Sequence, residues 1–354
     1  MNYWKNGKEK KFLKHIILKS SFMKICYLGI GSFGFCLASL LSQKGYQVTS
    51  WTTKEKLAKD LNQLKEHPFL PGCRPQGNMK FTTNLEEALD CADMIVESVT
   101  SAGIRPVFSE VLSVKTPTCP IIITSKGIEQ DSGLILPEVV IEVLGEKVRP
   151  LVGLLSGPSF ATEVIKGLPT SVVGSAFDSE VTMLLAETFN TPSFRVYPNN
   201  DIVGVAFGGA LKNIIAIACG ISDGLGMGCS AKAALMTRGL HEIRKLAVAC
   251  GAKSETIHGL AGMGDLCLTC SSSMSRNYRF GFLLAEGLSP IAAKEKIQMV
   301  VEGAYTCKST LQLGKLLDVS LPITKVVQKI IYEGMKPKDA VYYLMQREIK
   351  EEHL

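Results

Sequence analysis

Apolar residues are distributed along this chain in two textures. Between residues 24 and 199 they form short continuous runs separated by stretches of helical spacing; beyond residue 200 long helical patterns such as DIVGVAFGGALKNIIAIACG take over. The first run, KICYLGI at 24–30, reads as a buried strand, and GSFGFCLASLLSQKG after it places Phe33, Leu37, Leu40 and Leu41 on one helical face. Gly45 is suited to cap that helix at its C-terminus, and QVTSWT supplies the next strand, completing a right-handed βαβ unit. Further strands are expected at MIVESV (94–99), PIIITSK (120–126), LVGLLSG (151–157), TSVVGSA (170–176) and FRVYP (194–198). Several are apolar throughout, as a mostly parallel sheet covered on both faces requires. The pattern predicts a doubly wound α/β domain over 23–199 and a helical domain over 200–349, with the ligand cleft between them.

The turn after the first strand is GIGSFG. In a GxGxxG turn, Gly29 turns the chain, Gly31 lets backbone approach a pyrophosphate, and Gly34 allows close packing of helix on strand. The helix that follows offers its N-terminal amides to the phosphates. Alone the string is weak, but strand, helix and second strand all stand in register around it, so the segment predicts a dinucleotide site. The second strand ends in Trp51-Thr52-Thr53-Lys54 rather than in the carboxylate that would bind the ribose hydroxyls of NAD. Lys54 could meet a 2′-phosphate or be an ordinary solvated residue at a helix start, so both NAD and NADP are admitted.

Three later segments set polar groups beside glycines in apolar surroundings: SKGIE, SGPSFA and GGALKN. Lys126 closes a strand at the end where open α/β sheets bind ligands. Lys212 lies on a helix among Ala210, Leu211, Ile214 and Ile215, so it either snorkels to the surface or holds a desolvated ammonium whose pKa falls toward the range useful for proton transfer. Gly208 and Gly209 beside it would leave space for a flat ring or sugar. In GLAGMGDLCLTCSSSMSRNYRFG, one isolated carboxylate, Asp265, precedes Ser275-Arg276-Asn277. A guanidinium with amide donors suits a phosphate dianion, the alternative being a surface loop with Ser275 as a helix N-cap.

The chain has 354 residues, 46% of them apolar and 20% charged, enough for a large core and two domains. Its formal charge of +6 is concentrated in residues 1–22, a basic extension with six lysines against Glu9. The remainder is close to neutral, which disfavours a nucleic-acid partner and favours a small anionic ligand bound locally. The extension, like the tail at 350–354, is set apart from the fold; Met23 directly precedes the first strand. The eleven scattered cysteines form no secreted framework and indicate a cytoplasmic protein with reduced thiols. Cys267 and Cys270 are a lone CxxC pair without a second pair, and no metal site is expected. No membrane insertion is expected either.

The ordered series GIGSFG, SKGIE, SGPSFA, FRVY, GGALKN, SDGLGMG, GMGDLCLTC, SRN and VVEG resembles the bacterial NAD(P)-dependent glycerol-3-phosphate dehydrogenases, from Met23 nearly to the end. The resemblance implies an N-terminal Rossmann domain, an all-α C-terminal domain of the 6-phosphogluconate dehydrogenase type and a homodimer. It implies reversible reduction of dihydroxyacetone phosphate to glycerol 3-phosphate for glycerophospholipid synthesis. By the same resemblance Lys212 is the proton donor or acceptor, and Lys126, Gly157, Ser159, Asp265, Ser275, Arg276 and Asn277 fall at substrate and active-site positions. Ser32, Phe33, Ala161, Val300 and Glu302 fall at cofactor positions, joined by Lys126 and Arg276. The chain departs from the family at Phe33, where Trp or Tyr is common, and at Thr53-Lys54, where His or Arg is frequent.

Overall fold

The structure is a computed structural model that describes residues 23–349 together with 351 and 352. The basic extension at 1–22 and most of the tail lie outside the described residues. The chain runs through β1 (Lys24–Leu28), α1 (Ser32–Gln43), β2 (Gln47–Trp51), α2 (Glu55–Asn62), β3 (Met79–Thr82), α3 (Leu85–Leu89), β4 (Met94–Glu97) and α4 (Ile104–Val114). It continues with β5 (Ile121–Ile123), α5 (Leu136–Leu144), β6 (Val152–Ser156), α6 (Ala161–Val164), β7 (Thr170–Ala176), α7 (Ser179–Phe189) and β8 (Phe194–Asn199). From there it is helical: α8 (Ile202–Gly224), α9 (Gly228–Ala249), α10 (Ser254–His258), α11 (Asp265–Cys270), α12 (Arg276–Ala285), α13 (Pro290–Ile297), α14 (Glu302–Leu316), α15 (Pro322–Tyr332) and α16 (Pro337–Met345). A single π-turn, Leu260–Gly264, leads into α11.

The strands form one sheet in the order β3-β2-β1-β4-β5-β6-β7-β8. All neighbouring pairs are parallel except β6 with β7, which is antiparallel. The apolar runs are buried on both faces because helices cover both. Tyr27, Val48, Val96 and Leu155 share one cluster with Phe35, Leu41, Leu61 and Phe189. Cys26, Leu28, Ile95 and Ile123 share another with Phe108, Val140 and much of α8, so the sheet and the helical half meet in continuous core. The C-terminus of α1 is closed as expected at Gly45 (φ +103°): Tyr46 N–H donates to Leu41 O and Gly45 N–H to Ser42 O.

One strand was not legible beforehand, and another ends earlier than expected. Strand β3, MKFT, pairs only with β2 at the sheet edge and carries the exposed Lys80, so it shows no apolar run. And β5 ends at Ile123, which places Lys126 in the loop that follows the strand rather than on its last residue.

Helix α8 is the axis of the helical half, buried all round. Asp201 caps its start, accepting from Gly204 N–H at 2.9 Å. By length and mean hydropathy (1.9) it could cross a bilayer, a match that Lys212 in mid-helix obscures, yet 94% of that window is buried inside the fold. Helix α12 crosses it closely enough that a Cβ on Gly220 would lie 2.0 Å from Tyr278 O, and one on Gly281 2.0 Å from Ile217 O. That crossing sets the start of α12 against α8, where Asn277 meets Asn213, the residue after Lys212.

Candidate active site

The sheet order changes direction between β1 and β4, and the carboxyl ends of these strands open toward the helical half. The GIGSFG turn lies there, and its three glycines have three different surroundings. Gly29 has φ +95°, and a Cβ there would lie 2.7 Å from Ser98 O. A Cβ on Gly34 would lie 2.2 Å from Gly29 O, so helix and turn are in direct backbone contact. A Cβ on Gly31 would meet nothing within 4 Å. The turn is thus packed on its protein side and open at Gly31, where α1 begins without a side-chain cap and its first amides remain available. His67, which the sequence did not single out, is buried with Nε2 3.2 Å from Ile30 O and braces the turn from below.

Around this turn the expected cofactor residues are unequally placed. Ser32, Phe33 and Ala161 are half-buried at its rim, and Thr53, Lys54 and Val300 are exposed. Lys54 is the N-cap residue of α2 without a side-chain cap bond, and the Trp51 indole is turned inward to donate to Thr83 O at 3.1 Å. Glu302, at the first turn of α14, is tied to Ser101 through both N–H and hydroxyl, so this carboxylate joins the helical half to the loop after β4.

The polar centre is a carboxylate shared by two lysines. Asp265 is fully buried; its Oδ1 accepts from Lys212 Nζ and its Oδ2 from Lys126 Nζ at 2.6 Å. Lys212 also donates to Thr269 Oγ1 at 2.8 Å, and Lys126 to Gly157 O at 3.0 Å. Thr269 donates its own hydrogen to Asp265 O at 2.6 Å, which turns an oxygen lone pair toward Lys212. Each ammonium has three hydrogens, so one on each lysine is left without a protein partner among the described residues. Burial pulls Lys212 down to about 8; Asp265 opposes that pull and the neighbouring Lys126 adds to it. Lys212 therefore does not snorkel: it is 7% exposed and sits near the pKa that suits proton transfer at neutral pH.

The glycines beside Lys212 act differently from expectation. A Cβ on Gly208 would lie 2.6 Å from Ala261 O, and one on Gly209 would lie 2.5 Å from Ser156 Oγ and 3.5 Å from Lys126 Cδ. They leave room for the π-turn and for Lys126, not for a ring or sugar. Gly157 (φ +147°) packs against Val172 and aims its carbonyl at Lys126; Ser159 donates to the same carbonyl at 3.1 Å.

The Ser275-Arg276-Asn277 set is also differentiated. Ser275 is the N-cap of α12, accepting from Tyr278 N–H at 3.2 Å, which leaves its hydroxyl hydrogen free to donate elsewhere. Asn277 donates to Asn213 Oδ1 at 3.0 Å and accepts from Gly303 N–H at 2.9 Å, so it chiefly locks α8, α12 and α14 together. Arg276 is partly buried at the N-terminus of α12, with no carboxylate in ion-pair distance among the described residues; desolvation lowers its pKa and the field of Glu302 opposes this. An unpaired guanidinium at a helix N-terminus has the charge and the donors that suit an anion.

Asn213, Thr269 and Glu97, a buried carboxyl at the end of β4, are further members that the sequence reading missed. Thr269 could have been found from its i+4 spacing to Asp265, and Glu97 from being the one acid in an apolar strand. Among the described residues no group of three or more His, Cys, Asp or Glu is placed to hold a metal. Cys267 and Cys270 are free thiols. An apolar groove of about 470 Å3 among α8, α9, α15 and α16 contains neither Lys212 nor the glycine turn, and is not part of this centre.

A glycine turn at the switch point of a doubly wound sheet, faced by a buried lysine on a helical half, defines the class of two-part nicotinamide-dependent dehydrogenases. Comparison with known proteins narrows the class. Residues 24–182 match the model of the NAD-dependent glycerol-3-phosphate dehydrogenase N-terminus, and residues 201–342 match that of the NAD-dependent glycerol-3-phosphate dehydrogenase C-terminus. Similar curated proteins are the glycerol-3-phosphate dehydrogenases [NAD(P)+] of Protochlamydia amoebophila (strain UWE25) and Chlamydia pneumoniae. The first is 66% identical over 331 residues, covering 94% of this chain and 99% of its own, and the second 54% identical over 330 residues, covering 93% and 99%. The crystal structure of glycerol-3-phosphate dehydrogenase from Coxiella burnetii superposes with a TM-score of 0.86 at 36% identity, covering 92% of this chain and 99% of that one. The chain belongs to the NAD-dependent glycerol-3-phosphate dehydrogenase family.

Proposed function

We propose that the protein catalyses the reversible NAD(P)-dependent reduction of dihydroxyacetone phosphate to glycerol 3-phosphate, with Lys212 as general acid and base. The observation that carries this reading is the Lys212–Asp265–Lys126 centre, where a desolvated lysine retains one unpartnered N–H. Its family, and the names of its relatives, supply the substrate.

The residues fit a nicotinamide dinucleotide. The open face at Gly31 and the α1 amides would hold the pyrophosphate, with Ser32, Phe33, Ala161, Lys54, Val300 and Glu302 around it. When bound, the cofactor supplies or accepts the hydride. No carboxylate ends β2, and the exposed Lys54 is compatible with a 2′-phosphate, so both NAD and NADP are admitted.

In reduction, Lys212 Nζ–H gives its proton to the oxygen of the C2 carbonyl as that oxygen gains negative charge; in oxidation the neutral amine takes the hydroxyl proton back. Asp265 holds Lys212 and Lys126 at fixed separation, and the second ammonium adds positive potential where the oxyanion develops. Arg276, at the N-terminus of α12, receives the phosphate, with Ser275 and the remaining N–H of Asn277 as further donors. The role of Lys212, the site assignments, and the division into domains at 23–199 and 200–349 belong to this proposal. So do a cytoplasmic homodimer and a product used in glycerophospholipid assembly, for which family membership is the support. The test is oxidation of NADH and NADPH, followed by the loss of reduced-nicotinamide absorbance, with dihydroxyacetone phosphate and with unphosphorylated dihydroxyacetone. Phosphate-dependent oxidation is expected; cofactor binding without oxidation overturns the substrate.

A further inference from the structure

Glu97 is the last residue of β4, paired in register with Leu28 at the end of β1 and Ile123 at the end of β5. It is fully buried directly beneath the loops that form the centre. Its Oε1 accepts from Val99 N–H and lies 2.7 Å from Ser125 Oγ. The same Ser125 Oγ is in hydrogen-bond contact with Val99 O. Oε2 is buried without any partner.

The hydrogens in this cluster can be counted. Val99 O can only accept, and Ser125 has a single hydroxyl hydrogen. If that hydrogen goes to Val99 O, the contact between Ser125 Oγ and Glu97 Oε1 needs a hydrogen from Glu97. If it goes to Glu97, two bare acceptors face each other at Val99 O. An un-ionised Glu97 gives each contact a hydrogen of its own, whereas an ionised one leaves Val99 O and Oε1 sharing the single Ser125 hydrogen. The partnerless Oε2 gives the same answer: a carboxylate would leave anionic charge on a buried oxygen with no donor, whereas a neutral acid leaves only an unused carbonyl lone pair.

The two segments joined here bear on the reaction. Val99 and Ser98 form the wall against Gly29, a Cβ there being 2.8 Å from Val99 Cγ1. Ser101, two residues on, binds Glu302. Ser125 directly precedes Lys126, the second lysine on Asp265. We propose that Glu97, as the un-ionised acid, is a positioning residue that locks the Val99–Ser101 and Ser125–Lys126 segments together and so sets Lys126 against the glycine turn. The inference rests on the roles given above to Lys126 and to the turn. Burial raises the Glu97 pKa to about 8, and the charge of nearby Glu302 acts in the same direction; the bonds from Ser125 and Val99 oppose it without prevailing.

The experiment compares Glu97→Gln, Glu97→Leu and Ser125→Ala with wild type by kcat, KM and thermal melting, with infrared difference spectra at neutral pH. Glutamine keeps a neutral side chain of the same shape whose oxygen accepts from both Val99 N–H and the Ser125 hydroxyl, so the link survives and only the contact of Ser125 with Val99 O is given up; leucine removes the link, and Ser125→Ala severs it from the other side. Expected are an infrared carbonyl band of an un-ionised acid lost in Glu97→Gln and turnover within about five-fold of wild type for that variant. For Glu97→Leu and Ser125→Ala, a fall of at least about ten-fold in kcat/KM without a lower melting temperature is expected. A merely structural role would lower the melting temperature and spare kcat/KM. Wild-type turnover by Glu97→Leu and Ser125→Ala, equal damage in Glu97→Gln and Glu97→Leu, or absence of the band overturns the proposal. An inactive wild type would instead overturn the functional reading while leaving the infrared result interpretable. Should Glu97→Leu not fold, Ser125→Ala and the spectrum decide.

Discussion

Asp265→Asn removes the one negative charge between the buried Lys212 ammonium and the half-buried Lys126 ammonium while keeping the shape of the side chain. At an effective dielectric of about 20, a unit charge about 4 Å away is worth about 4 kcal/mol. Losing that attraction, less what an amide oxygen restores, lowers the Lys212 pKa by roughly two units at about 1.4 kcal/mol each. From about 8 in the intact protein it therefore falls toward about 6. The sign follows from the role. Carbonyl reduction needs the ammonium, so its rate falls as pH rises through this pKa; alcohol oxidation needs the amine, so its rate rises through the same pKa. Both profiles should move to lower pH in Asp265→Asn, and at pH near 7.5 the protonated fraction, hence reduction, drops roughly twenty-fold. Lys126→Met should shift both profiles the other way, since Lys126 depresses Lys212. The assay is kcat against pH in both directions. Unshifted midpoints in Asp265→Asn, or a shift to higher pH, would refute the reasoning.

The glycine turn and the anion site give two further tests. Gly34→Ala places a methyl 2.2 Å from Gly29 O and should lower the melting temperature, overpacking of this kind costing about 1–3 kcal/mol. Gly31→Val meets open space, so it should melt as wild type while raising the KM for NADH and NADPH at least about ten-fold by blocking backbone approach. Arg276→Ala should raise the KM for dihydroxyacetone phosphate about ten-fold or more, a hydrogen bond to a charged group being worth about 1.5–3 kcal/mol. Because Arg276 is desolvated without a carboxylate partner, its melting temperature should stay level or rise; a clear fall would mean the guanidinium is structural.

Much of the fold could be read beforehand because strands covered on both faces carry short apolar runs, and β1, β4, β5 and β6 each do, even though β4 ends in Glu97. Strand β3 escaped because an edge strand with Lys80 at its centre needs no such run. The antiparallel turn of β7 against β6 escaped because strand direction is set by the connection, not by composition. At the site, Lys212, Asp265 and Arg276 each stood out as a charge in apolar or glycine-rich surroundings. Their joining did not: Asp265 lies 139 residues from Lys126 and 53 from Lys212, and only the packing of α8 and α11 on the loop after β5 brings them together. Gly208 and Gly209 were misread for the same reason, since what a glycine makes room for is decided by the partner packed on it.

The central claim is that Lys212 moves the proton, and Lys212→Ala tests it most directly, with turnover of dihydroxyacetone phosphate and binding of NADH, by nicotinamide fluorescence, measured on the same sample. Loss of a general acid predicts turnover lower by about a hundred-fold to ten-thousand-fold, with NADH affinity within about three-fold of wild type. Turnover retained within about three-fold would contradict the account and remove Lys212 from the chemistry.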